Sequence, residues 1–268
     1  MRMIANVRHQ FVIGLKRALY GKRGEPYRFA GQTLRYLPGT RPIRLRYLHS
    51  NNAVNRYDAM QVIRLDHRLK EGDTAIDVGA HYGVYSVLMA AKCGLSGHVV
   101  AFEPDPYARE ILARNVALNP NLMPPIIEPA ACFDGIGEAV LFSRGGNAQS
   151  SLVRSGVEFS DTHKSEEITV ATLTLDSYLS GHDLVPQYVK IDAEGAEVRI
   201  LKGARNLLAG NAEIICELHP YAWPEFGSGL AELKDLADAA GRRIRYLDQN
   251  TEIGDRVEYG TVVLERFS

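Results

Sequence analysis

The acidic residues with the clearest catalytic potential lie where an apolar segment meets a predicted helix. The stretch KIDAEGAE, residues 190–197, places Asp192, Glu194 and Glu197 within six positions. A carboxylate at such a point can take a proton from a hydroxyl within hydrogen-bond reach. We expect Asp192 to orient an acceptor hydroxyl or a ligand ammonium, because it ends a buried strand and a buried charge needs a partner. Lys190 is the alternative partner.

Glu194 and Glu197 also admit a structural explanation. Negative charge is favoured in the first turn of a helix, so Glu194 could cap the helix that follows and Glu197 could lie in its first turn. We expect a catalytic function for Glu194. For Glu197 the structural explanation is favoured, including a role in tying down a neighbouring loop.

A second pair, Glu217 and His219, follows the next predicted strand in the segment CELHP. An imidazole titrates near neutral pH, so His219 is a candidate general base, although a loop histidine before Pro220 needs no such role. With Asp192 and Glu194, these residues also offer oxygen and nitrogen ligands for a metal ion. Spacing alone does not indicate such a site, and we expect no metal.

A loop with two glycines, DVGAHYG, follows an earlier apolar stretch at residues 77–83. Gly79 and Gly83 allow unusual dihedral angles and a close approach of a ligand to the backbone. A tight strand-to-helix turn without a ligand is the alternative. We expect a cofactor to be bound by this loop and the strand ends around it, through Asp77, Gly79, Ala80, His81, Gly83, Ser86, Glu103, Pro104, Ala131 and Asp192.

The position of Glu103 indicates the kind of cofactor. It ends the next predicted strand, 20 residues after Gly83, the spacing at which an acid reaches the ribose hydroxyls of a nucleoside. The loop reads G-x-x-x-G and not the G-x-G-x-x-G that places a pyrophosphate on a helix N-terminus. An acidic loop suits a ligand with an ammonium group and no phosphate, such as S-adenosylmethionine.

The elements that position these residues begin near residue 72, where apolar strands start to alternate with amphipathic helices. This pattern predicts a parallel sheet covered by helices on both faces, with ligands bound beyond the carboxyl ends of the strands. The polar stretch 144–166 is long for a loop in a compact domain and is a candidate lid or acceptor clamp. Candidate acceptor contacts are Ser150 and Ser151 in this stretch and Tyr82 in the glycine loop.

The first 50 residues form a basic extension, and residues 51–268 form the main domain. The extension holds 11 Lys and Arg and one acid, a balance of +10, whereas the rest holds 20 basic and 31 acidic residues, a balance of -11. A short amphipathic helix is predicted over residues 3–20, and TLRYLPGTRPIRLRYL predicts a hairpin around its Pro-Gly turn. The extension could face an anionic membrane, a nucleic acid, an acidic partner or its own acidic domain.

The composition is that of a soluble globular protein, with 46% apolar and 24% charged residues. No stretch approaches the roughly 18 apolar residues of a membrane span, and the N-terminus lacks the features of a signal peptide. Three widely spaced cysteines, each in an apolar run, predict buried thiols in a reducing compartment. We expect a cytoplasmic protein with peripheral contact to the inner membrane face through its basic N-terminal helix.

Several of these segments resemble a known family. AIDVGAHYGVYS resembles motif I of the class I S-adenosylmethionine-dependent methyltransferases, and VVAFEPDPYAREILARNVALN resembles their second motif. TLDSYL followed by YVKIDAEGAEVRILKGA is similar to the hallmark of the FkbM-type methyltransferases, and CELHP fits that family's next strand end. The resemblance covers roughly residues 50–220. It implies a Rossmann-like, seven-stranded α/β sheet with helices on both faces, S-adenosylmethionine as cofactor, and O-methylation of sugar or natural-product hydroxyls.

The expected function is therefore an S-adenosylmethionine-dependent O-methyltransferase acting on a glycan or a glycosylated natural product. The alternatives are a Rossmann-type NAD-dependent oxidoreductase and a non-catalytic nucleoside-binding scaffold. The missing G-x-G-x-x-G counts against the first, and the set of Asp77, Glu103 and Asp192 counts against the second. Nucleic acid is not an expected partner, because the main domain is acidic and shows no aromatic-basic surface. The sequence leaves the oligomeric state open, with a homo-oligomer as one expectation.

Overall fold

A seven-stranded sheet forms the centre of the computed structural model, which describes residues 12–40, 53–145, 150–154 and 165–266, without the side chains of residues 53–57. Its strands lie in the order β11-β12-β10-β9-β3-β4-β5. They are β3 Thr74–Val78, β4 His98–Phe102, β5 Ile126–Glu128, β9 Tyr188–Ile191, β10 Glu213–Leu218, β11 Arg242–Tyr246 and β12 Gly260–Arg266. Strand β12 pairs antiparallel with β10 and β11, and the other pairs are parallel.

Helices cover both faces of this sheet, which confirms the predicted α/β class. The α-helices in the described residues are α1 (residues 12–20), α2 Ala53–Arg68, α3 Val84–Cys93, α4 Pro106–Ala117, α5 Leu175–Gly181, α6 Glu197–Lys202, α7 Arg205–Ala209 and α8 Leu230–Ala239. Within the described ranges, no helix has the length and apolar character needed to cross a bilayer.

The alternation of side chains along the strands divides the core in two. Ile76 and Val78 belong to the cluster that packs against α5–α8, whereas Ala75 belongs to the cluster that packs against α2 and α3. Asp77 and Lys190 are opposite each other in the register of β3 and β9, and both face the α2–α3 side, because successive strand residues point to opposite faces. The sheet thus carries charged groups into one of its two cores.

A hairpin that the sequence analysis did not identify lies near the start of the described chain. Strands β1 (Glu25–Phe29) and β2 (Gln32–Tyr36) are antiparallel and turn at Ala30 and Gly31, which both have positive φ. The first arm of the predicted hairpin, TLRY, lies in β2. The second arm, from residue 41, falls outside the described residues, as do residues 3–11 of the predicted helix, so the turn at Pro38 and Gly39 stays a prediction.

Two asparagine side chains attach this hairpin to the main domain: Asn115 lies in α4, and Asn119 lies just after the C-terminal end of α4. The backbone N–H of Arg35 donates to Oδ1 of Asn119 at 2.8 Å, and that of Leu37 donates to Oδ1 of Asn115 at 2.7 Å. The described part of the extension therefore packs against its own domain.

A second, three-stranded sheet was not predicted. Its order is β6-β8-β7, with β6 Ala131–Cys132, β7 Gly137–Ser143 and β8 Glu166–Leu173. The sequence analysis missed β8, and it treated residues 144–166 as a loop. Ser151 exchanges backbone hydrogen bonds with Phe142 at 2.8 and 3.3 Å, which hold it beside β7.

The region after β9 also differs from expectation. Two short helices, α6 and α7, follow β9, with Gly203 between them. A Cβ atom on Gly203 would lie 2.3 Å from the carbonyl oxygen of Phe133, so the chain approaches too closely there for a larger residue. Glu194 is not the helix cap, because Ala196 holds that position. Glu197 lies in the first turn, as expected.

Candidate active site

The glycine loop after β3 is shaped by contacts with the chain itself. Gly79 has φ +76°, and a Cβ atom there would lie 1.7 Å from the carbonyl oxygen of Asp192. Gly83 has φ +73°, and its Cβ would lie 2.7 Å from Leu112. The two glycines are therefore required by the approach of β9 and α4 to this loop, whatever ligand it also contacts.

Asp77 lies beneath this loop and does not line the cleft beside it. It is fully buried and accepts a hydrogen bond from Oγ of Ser86 at 2.5 Å. Burial raises the pKa of the Asp77 carboxyl, against the opposing charge of Lys190. Asp77 and Ser86, two of the predicted cofactor residues, thus form a buried pair behind the loop, and Gly83 and Ala80 also lie outside the cleft lining.

A cleft of about 820 Å³ opens at the carboxyl ends of β3, β4 and β9. We call it the cofactor cleft. The predicted cofactor residues that line it are Gly79, His81, Glu103, Pro104, Ala131 and Asp192. Ser150 and Ser151 line this same cleft, and Ser151 donates to the carbonyl oxygen of Glu194 at 2.9 Å. Both serines thus lie in the cofactor cleft, whereas Tyr82 stacks on His81 with ring centres 3.6 Å apart.

The cofactor cleft has the chemistry of an adenosine site. Glu103 is 6% exposed. Its carboxylate is fixed by the backbone N–H groups of His81 at 2.6 Å and Asp105 at 2.8 Å. Burial raises the pKa of Glu103 to about 7. Apolar walls come from Phe102 and Ile200, and no lysine or arginine lines the cleft within the described residues. A ligand with ribose hydroxyls and no phosphate fits this set better than a dinucleotide.

A second open pocket, of about 850 Å³, adjoins the cofactor cleft. We call it the acidic pocket, and its described lining consists of Asp58, Asp192, Glu194, Glu217, His219, Tyr221 and Tyr259. Asp192 and Glu194 line both cavities. All four predicted catalytic residues therefore meet here, and two of them stand at the junction of the cavities.

Asp192, whose side chain is 28% exposed, is paired with a buried cation. Lys190 is 3% exposed and donates to Oδ2 of Asp192 at 2.9 Å, and its ammonium lies 4.8 Å from the centre of the Tyr85 ring. Burial lowers the pKa of Lys190, but the charges of Asp192, Asp77 and Glu217 outweigh it and leave the pKa raised. Burial raises the pKa of Asp192, but the charge of Lys190 reverses this and lowers it.

His219 is held by a buried carboxylate. Its Nδ1 donates to Oε1 of Glu197 at 2.9 Å, and Oε2 of Glu197 accepts from the indole of Trp223 at 2.8 Å. Nε2 of His219 lies 3.6 Å from Oε2 of Glu194. Burial lowers the pKa of His219, but the hydrogen bond and charge of Glu197 raise it to about 10. The imidazole is therefore protonated near pH 7 and is a donor there, which argues against the general-base role considered for it.

Three carboxyls of the acidic pocket have raised pKa values. Burial is the main cause, and the charge of Asp192 adds to it. The pKa is raised to about 7 for Glu194 and Glu217 and to about 6 for Asp58. A general base is most effective when its pKa lies near the working pH, so Glu194, at the junction of the cavities, is well placed to act as one.

Asp192, Glu194 and His219 are close enough to share a metal ion, with ligand atoms within 4.8 Å of one another. Two features oppose this use. Lys190 already holds Asp192, and the proton on His219 would have to leave before its nitrogen could coordinate.

Sequence reasoning missed Asp58, Tyr221 and Tyr259 of the acidic pocket. Tyr259 immediately precedes β12, and because β12 is antiparallel its start lies at the carboxyl edge of the parallel strands. Its hydroxyl donates to Oε1 of Glu217. Asp58 comes from α2. No spacing in the sequence links Asp58 or Tyr259 to the pocket. Tyr221 could have been found, because it lies two positions after His219.

Comparison with known proteins identifies relatives. A family model described as the methyltransferase FkbM domain matches residues 77–249. The hexuronic acid methyltransferase AglP of Haloferax volcanii is 29% identical over 154 residues, which cover 56% of this chain and 57% of that protein. The match thus spans little more than half the length of that curated relative.

Solved structures also match. Methyltransferase FkbM from Methylobacillus flagellatus is 13% identical, with a TM-score of 0.44 over 79% of this chain and 52% of that one. An rRNA methylase described as putative, from Clostridium thermocellum, is 13% identical, with a TM-score of 0.48 over 81% of this chain and 97% of that one.

Proposed function

The chain belongs to the FkbM methyltransferase family, whose methyl donor is S-adenosylmethionine, and from this premise we propose that it methylates a hydroxyl of a sugar or a glycosylated natural product. The observation that carries the proposal is the sharing of Asp192 and Glu194 by the cofactor cleft and the acidic pocket. A donor in one cavity and an acceptor in the other would meet at these two carboxylates.

The residues of the cofactor cleft fit this donor. When bound, S-adenosylmethionine supplies a methyl group on a sulfonium, which is already an activated leaving group. Glu103, fixed by two backbone N–H groups, would accept hydrogen bonds from the ribose hydroxyls. Asp192 would bind the ammonium of the amino acid tail. Residues Ser150 and Ser151 close one wall of the cleft and help to exclude water.

Glu194 would take the proton of the acceptor hydroxyl. Its pKa of about 7 keeps a large fraction ionised at neutral pH, and a positioned base typically contributes 10²–10⁴-fold in rate, in order of magnitude. His219, protonated and 3.6 Å from Glu194, would orient that carboxylate and donate to the acceptor. Alignment of the two reactants would supply much of the remaining rate enhancement.

A sugar acceptor is supported by two observations. The curated relative is named as a methyltransferase of hexuronic acid, at 29% identity over part of the chain. The acidic pocket combines carboxylates with the exposed rings of Tyr221 and Tyr259, 40% and 37% exposed, and such rings offer an apolar face beside hydrogen-bonding groups.

Calorimetry followed by methyl transfer tests the proposal. The protein should bind S-adenosylmethionine and its demethylated product and should not bind NAD. With a radiolabelled methyl donor, it should then label a hydroxyl of at least one compound in a panel of glycosides, and Glu194→Gln should reduce the labelling by roughly 10²–10⁴-fold. Binding of NAD in place of S-adenosylmethionine, or label on nitrogen or carbon only, would contradict the proposal.

A further inference from the structure

Among the residues that the structure describes, the acidic pocket holds more carboxylates than cations. Two of its charged groups are paired internally: Asp192 with Lys190 at 2.9 Å, and His219 with Glu197 at 2.9 Å. Each cation therefore already has a carboxylate of its own in direct contact.

Three carboxylates remain after this pairing. Glu194 makes a long ion pair, in which its Oε2 lies 3.6 Å from Nε2 of His219, a group that Glu197 already contacts more closely. Asp58 and Glu217 make no ion pair with a lysine, arginine or histidine among the described residues. In the described part of the chain, the donors to Glu217 are neutral: Nε2 of Gln61 at 3.4 Å and the hydroxyl of Tyr259.

The pKa values of these three carboxyls are raised, although the charge of Lys190 or His219 opposes the shift in each case. Removal from water disfavours their charged form, and the charge of Asp192 disfavours it further. A cation placed among them would restore their ionisation and gain charge-assisted hydrogen bonds in return. The pocket is therefore complementary to a positively charged ligand and opposed to a negatively charged one.

We propose that the acceptor carries an ammonium group beside the hydroxyl that is methylated, as in an amino sugar. This inference rests on the proposed function. The ammonium would lie between Asp58 and Glu217, and the hydroxyl would lie at Glu194 on the side of the cofactor cleft. A hexuronic acid, the acceptor class named for the curated relative, would instead bring a further carboxylate into an acidic pocket.

The tyrosines at the rim suit the same ligand. The rings of Tyr221 and Tyr259 lie edge-on to His219, with centres 5.8 and 5.3 Å from it. Their hydroxyls are donors to Glu194 and Glu217. The ring faces attract cations as well as the apolar face of a sugar, so they add to the selectivity of the carboxylates.

A matched set of three ligands tests this inference: the methyl glycosides of glucosamine, glucose and glucuronic acid. Their affinities are measured by calorimetry or saturation-transfer NMR with the full chain loaded with S-adenosylhomocysteine, in EDTA. The amine should bind at least about tenfold more tightly than the neutral glycoside, as expected for a charge-assisted hydrogen bond. The uronide should bind most weakly.

Single variants identify the carboxylates that cause the preference for the amine. Asp58→Asn and Glu217→Gln should each reduce the ratio of amine to neutral affinity by about tenfold. Glu110→Gln removes the same charge from the exposed side of α4, where its side chain is 74% exposed, and should leave the ratio unchanged. A ratio that is equally insensitive to all three changes would overturn the assignment of Asp58 and Glu217.

The outcomes separate this inference from the proposed function. Equal or tighter binding of the neutral glycoside or the uronide would overturn it. So would uronide binding that appears only when Mg²⁺ replaces EDTA, because the cation of the pocket would then be a metal. If the amine binds best but no glycoside is methylated, the charge preference stands and the proposed sugar methylation fails. If neutral glycosides are methylated and amines are not, the proposed function stands and this inference fails.

Discussion

Nδ1 of His219 donates to Oε1 of Glu197 at 2.9 Å, with the histidine 3% and the glutamate 0% exposed. The second carboxylate oxygen of Glu197 is occupied by the indole of Trp223 at 2.8 Å. Glu197 therefore fixes both the orientation and the charge of a histidine that faces the acidic pocket. The sequence analysis assigned Glu197 a structural role, and the structure connects that role to the site.

Glu197→Gln should destabilise the protein in a pH-dependent manner. The pKa of His219 is raised in the folded protein from 6.5 to about 10, so its stabilising contribution is fully present below about pH 6.5 and is lost as the pH rises through about 10. We expect a loss of about 3–5 kcal/mol at pH 6 and a smaller loss at pH 10, measured by urea unfolding. Glu232→Gln, which breaks the partly exposed ion pair with Lys202, should cost less than about 1 kcal/mol. A Glu197→Gln loss that does not change with pH would contradict this assignment.

The rate of methyl transfer should follow the ionisation of Glu194. Its pKa is raised to about 7, and only the ionised form can accept a proton, so kcat/KM for a neutral glycoside, which has no amine to titrate, should rise with pH and level off above about pH 8. Glu194→Gln should lower kcat by roughly 10²–10⁴-fold and remove this rise. Glu217, whose pKa is also raised to about 7, is the control. If Glu217→Gln removes the rise and Glu194→Gln does not, Glu217 is the base.

Cofactor affinity should depend on the charge of Glu103. Glu103→Gln keeps the size of the side chain and should weaken binding of S-adenosylhomocysteine by about 1.5–3 kcal/mol, the usual contribution of a hydrogen bond to a charged group. The carboxylate also holds the backbone N–H groups of His81 and Asp105, so Glu103→Ala should cause a larger loss than Glu103→Gln. Calorimetry measures both. An unchanged affinity in both variants would remove Glu103 from the site.

Gly79→Ala should prevent folding, and not merely cofactor binding. The added Cβ would lie 1.7 Å from the carbonyl oxygen of Asp192, which is backbone and cannot move without shifting β9 relative to β3. The left-handed φ of +76° adds about 1–2 kcal/mol. Gly135→Ala is the control, because nothing lies within 4 Å of its Cβ position. A Gly79→Ala protein with a wild-type melting temperature would contradict the structure of this loop.

The sequence predicts the convergence of Asp192, Glu194, Glu217 and His219 for a simple physical reason. Asp192 and Glu194 follow β9, and Glu217 and His219 lie at the carboxyl end of β10. These strands are parallel neighbours, and the carboxyl ends of parallel strands meet at one edge of a sheet. The same argument does not predict that Tyr259 and Asp58 lie in the acidic pocket. The first reaches the site through an antiparallel strand and the second through a helix, and only the tertiary arrangement brings them together.

The glycine loop and the N-terminal hairpin show a different limit. Glycine patterns report that something approaches the backbone, but they do not distinguish a ligand from a neighbouring strand, and at Gly79 the structure shows the strand. The hairpin of β1 and β2 turns at Ala30 and Gly31, a pair that is not a strong turn signal, so the sequence analysis did not find it.

Asp192→Asn should separate the catalytic importance of this residue from its structural one. The change removes the charge that faces Lys190 at 2.9 Å, but Asp77 lies beside Lys190 in the register of the sheet, so the ammonium keeps one carboxylate. The amide can also still accept a hydrogen bond. We therefore expect a loss of about 1–3 kcal/mol in the free energy of unfolding, measured by urea, and a fall in methyl transfer of roughly 10²–10⁴-fold.

The double variant Asp192→Asn, Lys190→Met decides whether that fall in activity is an indirect effect of an unbalanced ammonium. Replacing the lysine removes that ammonium but leaves the buried Asp77 without its cation, so the double variant should be less stable than the single variant, and it should regain none of the lost activity. Cofactor affinity then distinguishes the two roles of Asp192. A large loss in both variants would show that Asp192 holds the ammonium of the cofactor, whereas a small loss would show that it orients the acceptor. Recovery of turnover in the double variant would mean that Asp192 serves only to neutralise Lys190, and that Glu194 alone handles the acceptor proton.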